Sequence, residues 1–200
     1  MADDDTPLIE QATGESTLLH RGFLELRRDA VRLPDGSATT REYVRHDGAV
    51  AIVPVLDDGR VVLVRQFRYP VGEVLLELPA GKVDGGETAW ASAQRELQEE
   101  TGFRARQWAY GGEIINAAAY SSERIQLWLA RELVPGPQRL DEGEFLEVVT
   151  KTPEELEGMA AAGGLPDAKT VFGLNRLRQW RAGSWQPQWQ PAEAAAADGP

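Results

Sequence analysis

Cysteine is absent from this 200-residue chain. That excludes disulfides, zinc fingers, iron–sulfur clusters and thiol catalysis. Histidine is scarce: His20 and His46 are the only two, too few for a histidine-rich metal site. No apolar run approaches the roughly 20 residues a membrane helix needs. The first residues, Met1–Asp5, are acidic, where a secretion or transit signal would be basic. These absences predict a cytoplasmic protein with no membrane partner. Positive charge is also in deficit, with 21 Lys and Arg against 32 Asp and Glu and a net charge of −11. Of that, the first 17 residues carry −5 and the last thirteen −2, which leaves −4 on the body. A mildly acidic body argues against a nucleic-acid partner. A cluster of carboxylates could still hold a divalent cation that bridges to phosphate.

What remains is ordinary globular material: 42% hydrophobic and 26% charged residues, enough for one cored domain. Residues 1–17 read as a disordered acidic tail and 186–200 as a flexible C-terminal tail. Residues 18–39 read as an N-terminal antiparallel sheet extension, and 40–185 as the main domain. Two apolar runs, Ala49–Leu56 and Val61–Phe67, are split by Asp57-Asp58-Gly59, a hairpin signal. Val74–Leu78 reads as a short strand. After Gly85-Gly86 the period changes: Ala89, Trp90, Ala93 and Leu97 share one helical arc, and Gly102 supplies a stop, so Thr88–Thr101 is predicted helical. Strands resume near Trp108–Ile115, Ile125–Ala130 and Phe145–Val149. Helices follow at Pro153–Ala162 and at Ala168–Arg181, the latter with Val171, Leu174 and Leu177 inward. Strands, a helix, more strands, then helices indicate a mixed-sheet α/β domain rather than a regular βαβ repeat.

The predicted helix ends on Arg95, Glu96, Glu99 and Glu100. Three carboxylates near a helix C-terminus oppose the macrodipole at roughly 0.3–1 kcal/mol each, and Glu96 and Glu100 repel at i, i+4. Arg95 pairs with Glu99 at i+4, leaving Glu96 and Glu100 over. Two readings fit: a solvated acidic face, or carboxylates reconciled by a divalent cation beside a Gly-rich loop.

The order Gly81, five residues, Glu87, seven residues, Arg95-Glu96-Leu97, one residue, Glu99-Glu100, one residue, Gly102-Phe103 resembles the Nudix box with every position filled. Chance agreement is roughly one in 10⁸ per start position. The resemblance implies an α/β/α sandwich around a mixed β-sheet, and a pyrophosphohydrolase that uses Mg²⁺, or Mn²⁺, to polarise a pyrophosphate and help activate water. It implies that Glu96 and Glu100 are the main metal ligands and that Glu99 ligates a further ion or orients the site. It also implies that the Ala80 carbonyl completes the shell, that Arg95 holds Glu99, and that Glu87 is a supporting acid.

Flanking segments are similar to the ADP-ribose pyrophosphatase branch: Val64-Arg65-Gln66-Phe67-Arg68-Tyr69, Glu77-Leu78-Pro79-Ala80-Gly81, Ser122-Glu123-Arg124, Asp141-Glu142-Gly143-Glu144 and Asp167-Ala168-Lys169-Thr170. By that resemblance Arg68 contacts the pyrophosphate, with Arg65 beside it. Arg41 contributes from the N-terminal sheet, sometimes across a homodimer, and Glu123 lies near the terminal ribose. Glu142 is the general base, and Glu144 lies on the metal side. Plainer readings stand beside these. Arg65 and Arg68 could be solvated strand-edge residues, Glu142 is one of several loop acids, and Tyr69 or Tyr120 could stack on a base or simply pack. Where the branch usually carries Ser-Pro-Gly, this chain has Ala117-Ala118-Ala119-Tyr120. That departure bears on the sugar side, while the flanking motifs as a whole imply ADP-ribose, cleaved to AMP and ribose 5-phosphate, as the expected substrate. GDP-mannose or another nucleoside diphosphate sugar is the alternative, and a non-catalytic nucleotide-sensing module the alternative of another class.

Overall fold

A computed structural model describes residues 5–193. The chain divides into two compact units, breaking at Asp47/Gly48. The first comprises the described residues up to Asp47 together with Ala117–Glu123. Its framework is the antiparallel pair β3 (Glu25–Arg32) and β4 (Ala38–Arg45), in register along their whole length and joined through the turn at Pro34-Asp35-Gly36. The other edge of β3 is shared by β2 (Thr17–Arg21) at one end and β1 (Gln11–Ala12) at the other. Part of the stretch expected to be a disordered tail is thus paired, because β3 outruns β2 and leaves donors that Gln11–Ala12 satisfies. Residues 1–4 lie outside the described residues.

The second unit is built on a five-stranded mixed sheet. Its strands are β5 (Ala49–Pro54), β8 (Ala80–Lys82), β9 (Phe103–Ile115), β10 (Arg124–Pro135) and β12 (Gln190–Pro191), in the order β12-β9-β10-β5-β8. Only β5 and β10 run parallel. A smaller antiparallel sheet has the order β11-β6-β7, from β11 (Leu146–Lys151), β6 (Val61–Arg68) and β7 (Glu73–Glu77). The sequence read β5 and β6 as a hairpin. Their turn is present, with Leu56 N–H donating to the Arg60 carbonyl at 2.8 Å, but beyond one Val55–Val61 bridge the strands part into different sheets. Each finds long partners elsewhere, and those pairings outweigh the local one.

Strand β5 is apolar on both faces, as a central strand must be. Val50 and Ile52 face one core with Trp90, Ala93 and Leu97 of α1 (Ala89–Thr101); Ala51 and Val53 face the other, with Leu177 and Phe172 of α3 (Ala168–Arg181). Helices thus cover both faces of the mixed sheet, the expected α/β/α sandwich. Three early tryptophans form the first core: Trp90 packs edge-on against Trp108 and Trp128 with centroids 5.8 and 5.0 Å apart. The helix α2 (Pro153–Ala161) starts with a Thr152/Glu155 capping box.

Two expectations change here. Val171 is 45% exposed; Thr170, Gly173 and Leu177 are the buried positions of α3. The C-terminal stretch from 186 is held rather than loose over 189–192. Trp189 packs on Trp180 at 5.1 Å with the Arg131 guanidinium 4.1 Å from its ring, and Ala192 N–H donates to the Arg106 carbonyl. Residues 194–200 lie outside the described residues. Gly173 lets α3 approach β5: a Cβ there would lie 2.4 Å from Leu78 Cδ1 and 3.0 Å from Val53 Cγ2. Overpacking of about 1–3 kcal/mol outweighs the gain of about 1 kcal/mol from alanine's helix propensity. Gly173→Ala is therefore expected to lower the melting temperature; a calorimetric scan showing a rise would contradict this packing.

Candidate active site

The acidic end of α1 is built deliberately. Thr88 caps its start by accepting from Ala91 N–H, and Gly102 ends it at φ 73°. Its last carbonyls are then satisfied from one loop. Gly136 N–H donates to Gly102 O, the Gln138 side-chain amide to Glu100 O at 2.6 Å, and Arg139 N–H to Glu99 O at 3.0 Å. Capping the orphan carbonyls softens the dipole penalty on the nearby glutamates.

Glu96 and Glu100 lie one turn apart on the α1 face turned to β8. Glu100 is 3% exposed and accepts from Ala80 N–H at 3.0 Å. A Cβ on Gly81 would fall 1.9 Å from Glu96 Oε1, so any side chain there would occupy the place of that carboxylate. Burial pushes the Glu96 carboxyl up to about 7 despite the Arg95 charge, with Glu99 and Glu144 adding to the rise. Burial pushes Glu100 up to about 8, against the Ala80 hydrogen bond, with Glu96 and Glu144 again adding. Glu144 also accepts from the Gln66 side chain at 3.2 Å, which brings β6 and the acidic turn to the same place. That turn is closed by Glu144 N–H on the Asp141 carbonyl, with Gly143 at φ 83°. Glu142 sits exposed at its tip.

Arg95 ties the acids together more broadly than expected. Its Nη1 donates to Glu96 Oε1 at 2.8 Å and Glu99 Oε2 at 2.9 Å; its Nε reaches both Glu87 oxygens; its Nη2 reaches Glu87 Oε2 and the Lys82 carbonyl. Glu96, expected to lack a partner, therefore shares the guanidinium. Burial alone would lower the Arg95 pKa, but the hydrogen bonds it donates to these acids raise it above its ordinary value. Glu87 accepts from Ser92 as well, and Arg95 and Ser92 hold its carboxyl below the usual range.

Arg65 and Arg68 part company. Side chains alternate along β6, so positions three apart face opposite ways. Arg65 forms a cross-strand ion pair with its register partner Glu147 at 2.6 Å. Arg68 shares the face of Gln66 and donates to both Glu77 oxygens, at 2.7 and 3.1 Å. The structure thus brings Arg68, not Arg65, towards the carboxylates. In the first unit Arg41 is bonded to Glu10 and lines a cavity of about 380 Å³ with Tyr43, Tyr120 and Ser121. The Ala117–Tyr120 segment there closes its own turn, with Tyr120 and Ser121 N–H donating to the Ala117 carbonyl. Glu123 Oε1 lies 3.7 Å from His46 Nε2.

These donors are oxygens, and hard cations such as Mg²⁺ take oxygen ligands. The half-buried Glu96 and the buried Glu100, whose charges desolvation and neighbouring acids disfavour, are a donor set that a divalent cation would relieve. Among the described residues no three acids already converge as a metal cage; Glu96 turns one oxygen to Arg95. A larger cavity of about 510 Å³, lined by Gln94, Gln98, Arg104 and Arg106, shares only Arg95 with the acid cluster. Gln94 and Gln98 are roughly half a helical turn round from Glu96 and Glu100, so that cavity is on the far side of α1.

The model of the NUDIX domain matches residues 45–172. The chain belongs to the Nudix family. An ADP-ribose pyrophosphatase of Bacillus subtilis is 34% identical over 173 residues, 86% of this chain and 94% of that protein. A methanol dehydrogenase activator of Bacillus methanolicus is 33% identical over 174 residues, again 86% and 94%. A solved ADP compounds hydrolase superposes with a TM-score of 0.73 at 25% identity, covering 87% of this chain and 98% of that one. The Nudix box is Gly81–Phe103, and its Gly81, Glu87, Arg95, Glu96, Glu99 and Glu100 form the single cluster described above. Sequence reasoning assigned no role to Glu77 or Lys169. Glu77 is 2% exposed and takes hydrogen bonds from Arg68 and from Lys169 of α3. The signal was an acid inside the apolar run Val74–Leu78.

Proposed function

We propose that this chain hydrolyses the pyrophosphate of ADP-ribose to AMP and ribose 5-phosphate, or that of a related nucleoside diphosphate sugar to the nucleoside monophosphate and the sugar phosphate. The observation that carries this reading is the pair of half-buried Glu96 and buried Glu100 packed on Ala80-Gly81, with Arg68 on the adjoining strand face. The two relatives match over the same span under different names, so identity alone does not choose the substrate; acids and a guanidinium beside one another suit a pyrophosphate bridged by a cation.

Glu96, Glu100, Glu99, Glu144 and the Ala80 carbonyl are the residues that would hold Mg²⁺ or Mn²⁺. A bound cation of this kind polarises a phosphoryl oxygen and lowers the pKa of bound water. Arg95 orients Glu96 and Glu99 from behind and Glu87 fixes Arg95. Arg68 presents its guanidinium to the pyrophosphate. Glu142, at an exposed turn tip next to glycine, takes the proton of the attacking water, and Arg41 and Glu123 are the substrate-binding residues that the family resemblance adds. A water oxygen bonds to one phosphorus as its bond to the bridging oxygen breaks, so two phosphate monoesters leave. Arg65 keeps to a structural pair with Glu147. No described helix is long and apolar enough to cross a membrane; with no cysteine in the chain, this supports a cytoplasmic site of action. A homodimer, with exposed Leu18 and Leu19 on β2 and exposed Phe23 and Leu24 in the bend that follows it, completes the reading.

Mass spectrometry with Mg²⁺, offering ADP-ribose and GDP-mannose side by side, tests it. AMP and ribose 5-phosphate are expected. Preference for GDP-mannose would keep the chemistry and move the specificity to the Ala117–Tyr120 turn. Binding of ADP-ribose without turnover would replace the reading with nucleotide sensing.

A further inference from the structure

Arg68 does not reach the carboxylate cluster alone. Its Nε and Nη2 edge is held by Glu77, which is 2% exposed, and the same Glu77 accepts from Lys169 Nζ. Lys169 in turn donates to Asp167 at 2.9 Å. Asp167 caps α3, accepting from Thr170 N–H at 2.9 Å and from the Thr170 hydroxyl at 2.5 Å. That hydroxyl accepts from Leu78 N–H at 2.9 Å, one residue on from Glu77. The chain of contacts therefore closes on itself, from β6 through β7 to the start of α3 and back. It gathers two cations and two carboxylates around the buried Glu77, with charges balanced and each acid bonded more than once.

A buried acid is costly unless paired and hydrogen-bonded. Nothing about covering β7 requires an acid at 77, since its neighbours Leu76 and Leu78 are apolar. The bidentate grip uses one edge of the guanidinium and leaves the Nη1 side outside the pair. Arg68 remains 39% exposed and feels the Glu100 charge. A long side chain on a strand would otherwise sample several rotamers and lose that freedom on binding.

We propose that Glu77, anchored from α3 by Lys169, is a positioning residue that sets the direction in which Arg68 presents its guanidinium beside Glu100. This rests on the reading that Arg68 binds the pyrophosphate. Glu77 acts through Arg68 and does not itself touch substrate. The α3 N-terminus thereby helps to determine the phosphate grip even though no residue of it need meet the ligand.

A double-mutant cycle tests the inference. Arg68→Ala and Glu77→Gln are each expected to lower kcat/KM for ADP-ribose by about 10–100-fold, the range for losing a supporting contact. The double variant should be no worse than Arg68→Ala, because Glu77 has nothing left to position. Losses that multiply would overturn the proposal, as would a Glu77→Gln enzyme with wild-type kcat/KM. Lys169→Met serves as a second arm should Glu77→Gln fail to fold, with a several-fold loss that also vanishes in the Arg68→Ala background. Arginine side-chain NMR gives a readout independent of turnover. The Nε–H signal that disappears in Arg68→Lys should be sharp and slow to exchange in the wild type, and broadened or fast-exchanging in Glu77→Gln. An unchanged signal would refute the positioning role. If the wild-type chain cleaves no nucleoside diphosphate sugar, the proposed function fails, while the NMR arm still decides whether Glu77 holds Arg68.

Discussion

Glu100→Gln is expected to lower turnover of ADP-ribose by two or more orders of magnitude, on the order of 3 kcal/mol of transition-state stabilisation. The amide keeps the shape and can still accept from Ala80 N–H, so the fold should survive. The same substitution should stabilise the cation-free protein. Burial raises the Glu100 pKa to about 8 in the fold, against an ordinary value of 4.5. Between those values the folded state holds the proton that the unfolded chain releases. The Glu100 contribution to wild-type stability therefore falls as pH rises from about 5 to 8, and is lowest above it. Glutamine does not titrate. In chelator, the melting temperature of Glu100→Gln should exceed that of the wild type by more at pH 9 than at pH 5. A gap that shrinks with rising pH would show that the carboxyl is not held protonated by burial.

Arg95→Ala should produce the second large effect, on stability and activity together. One guanidinium, 25% exposed, meets Glu87, Glu96 and Glu99. Removing it leaves three acids near one another and takes one hydrogen-bond donor from the Lys82 carbonyl. The loss should be about 2–3 kcal/mol, below the figure for a fully buried pair because water reaches part of the site. Activity should drop about 10–100-fold through misoriented acids. Millimolar Mg²⁺ should recover more of the melting temperature in the variant than it adds to the wild type, since a cation can replace the lost positive charge. Equal increments in the two proteins would sink that account of Arg95.

How far the site could be read in advance depended on how local its residues are. The helix Thr88–Thr101, its glycine stop and the Arg95–Glu99 pair follow from spacing within two turns, and the structure holds them at those positions. Arg65 and Arg68 read alike in the chain, yet the pleat sends them to opposite faces. Only the pairing of β6 with β11 gives Arg65 its partner Glu147. Glu142 and Glu144 sit two apart in one turn; only the packed position of Gln66 distinguishes the one that faces the cluster. Glu77 looked like part of a motif because its partners, Arg68 and Lys169, come from a neighbouring strand and from a helix 92 residues on.

The same division runs through the whole molecule. Period, caps and composition were sufficient for the α/β class, the position of each helix and the acidic spacing at the end of α1, because helical neighbours are three and four residues apart and their chemistry is local. Which sheet receives β6, which acid is buried, and which cation holds it are long-range matters. The hairpin signal between Ala49 and Phe67 was locally sound and lost to longer pairings. Glu100 became an unusual acid only once Ala80, Glu96 and Glu144 were packed around it, since a carboxyl's pKa is set by the water it loses and the charges it meets. Those depend on where distant strands arrive, and no window of sequence contains them.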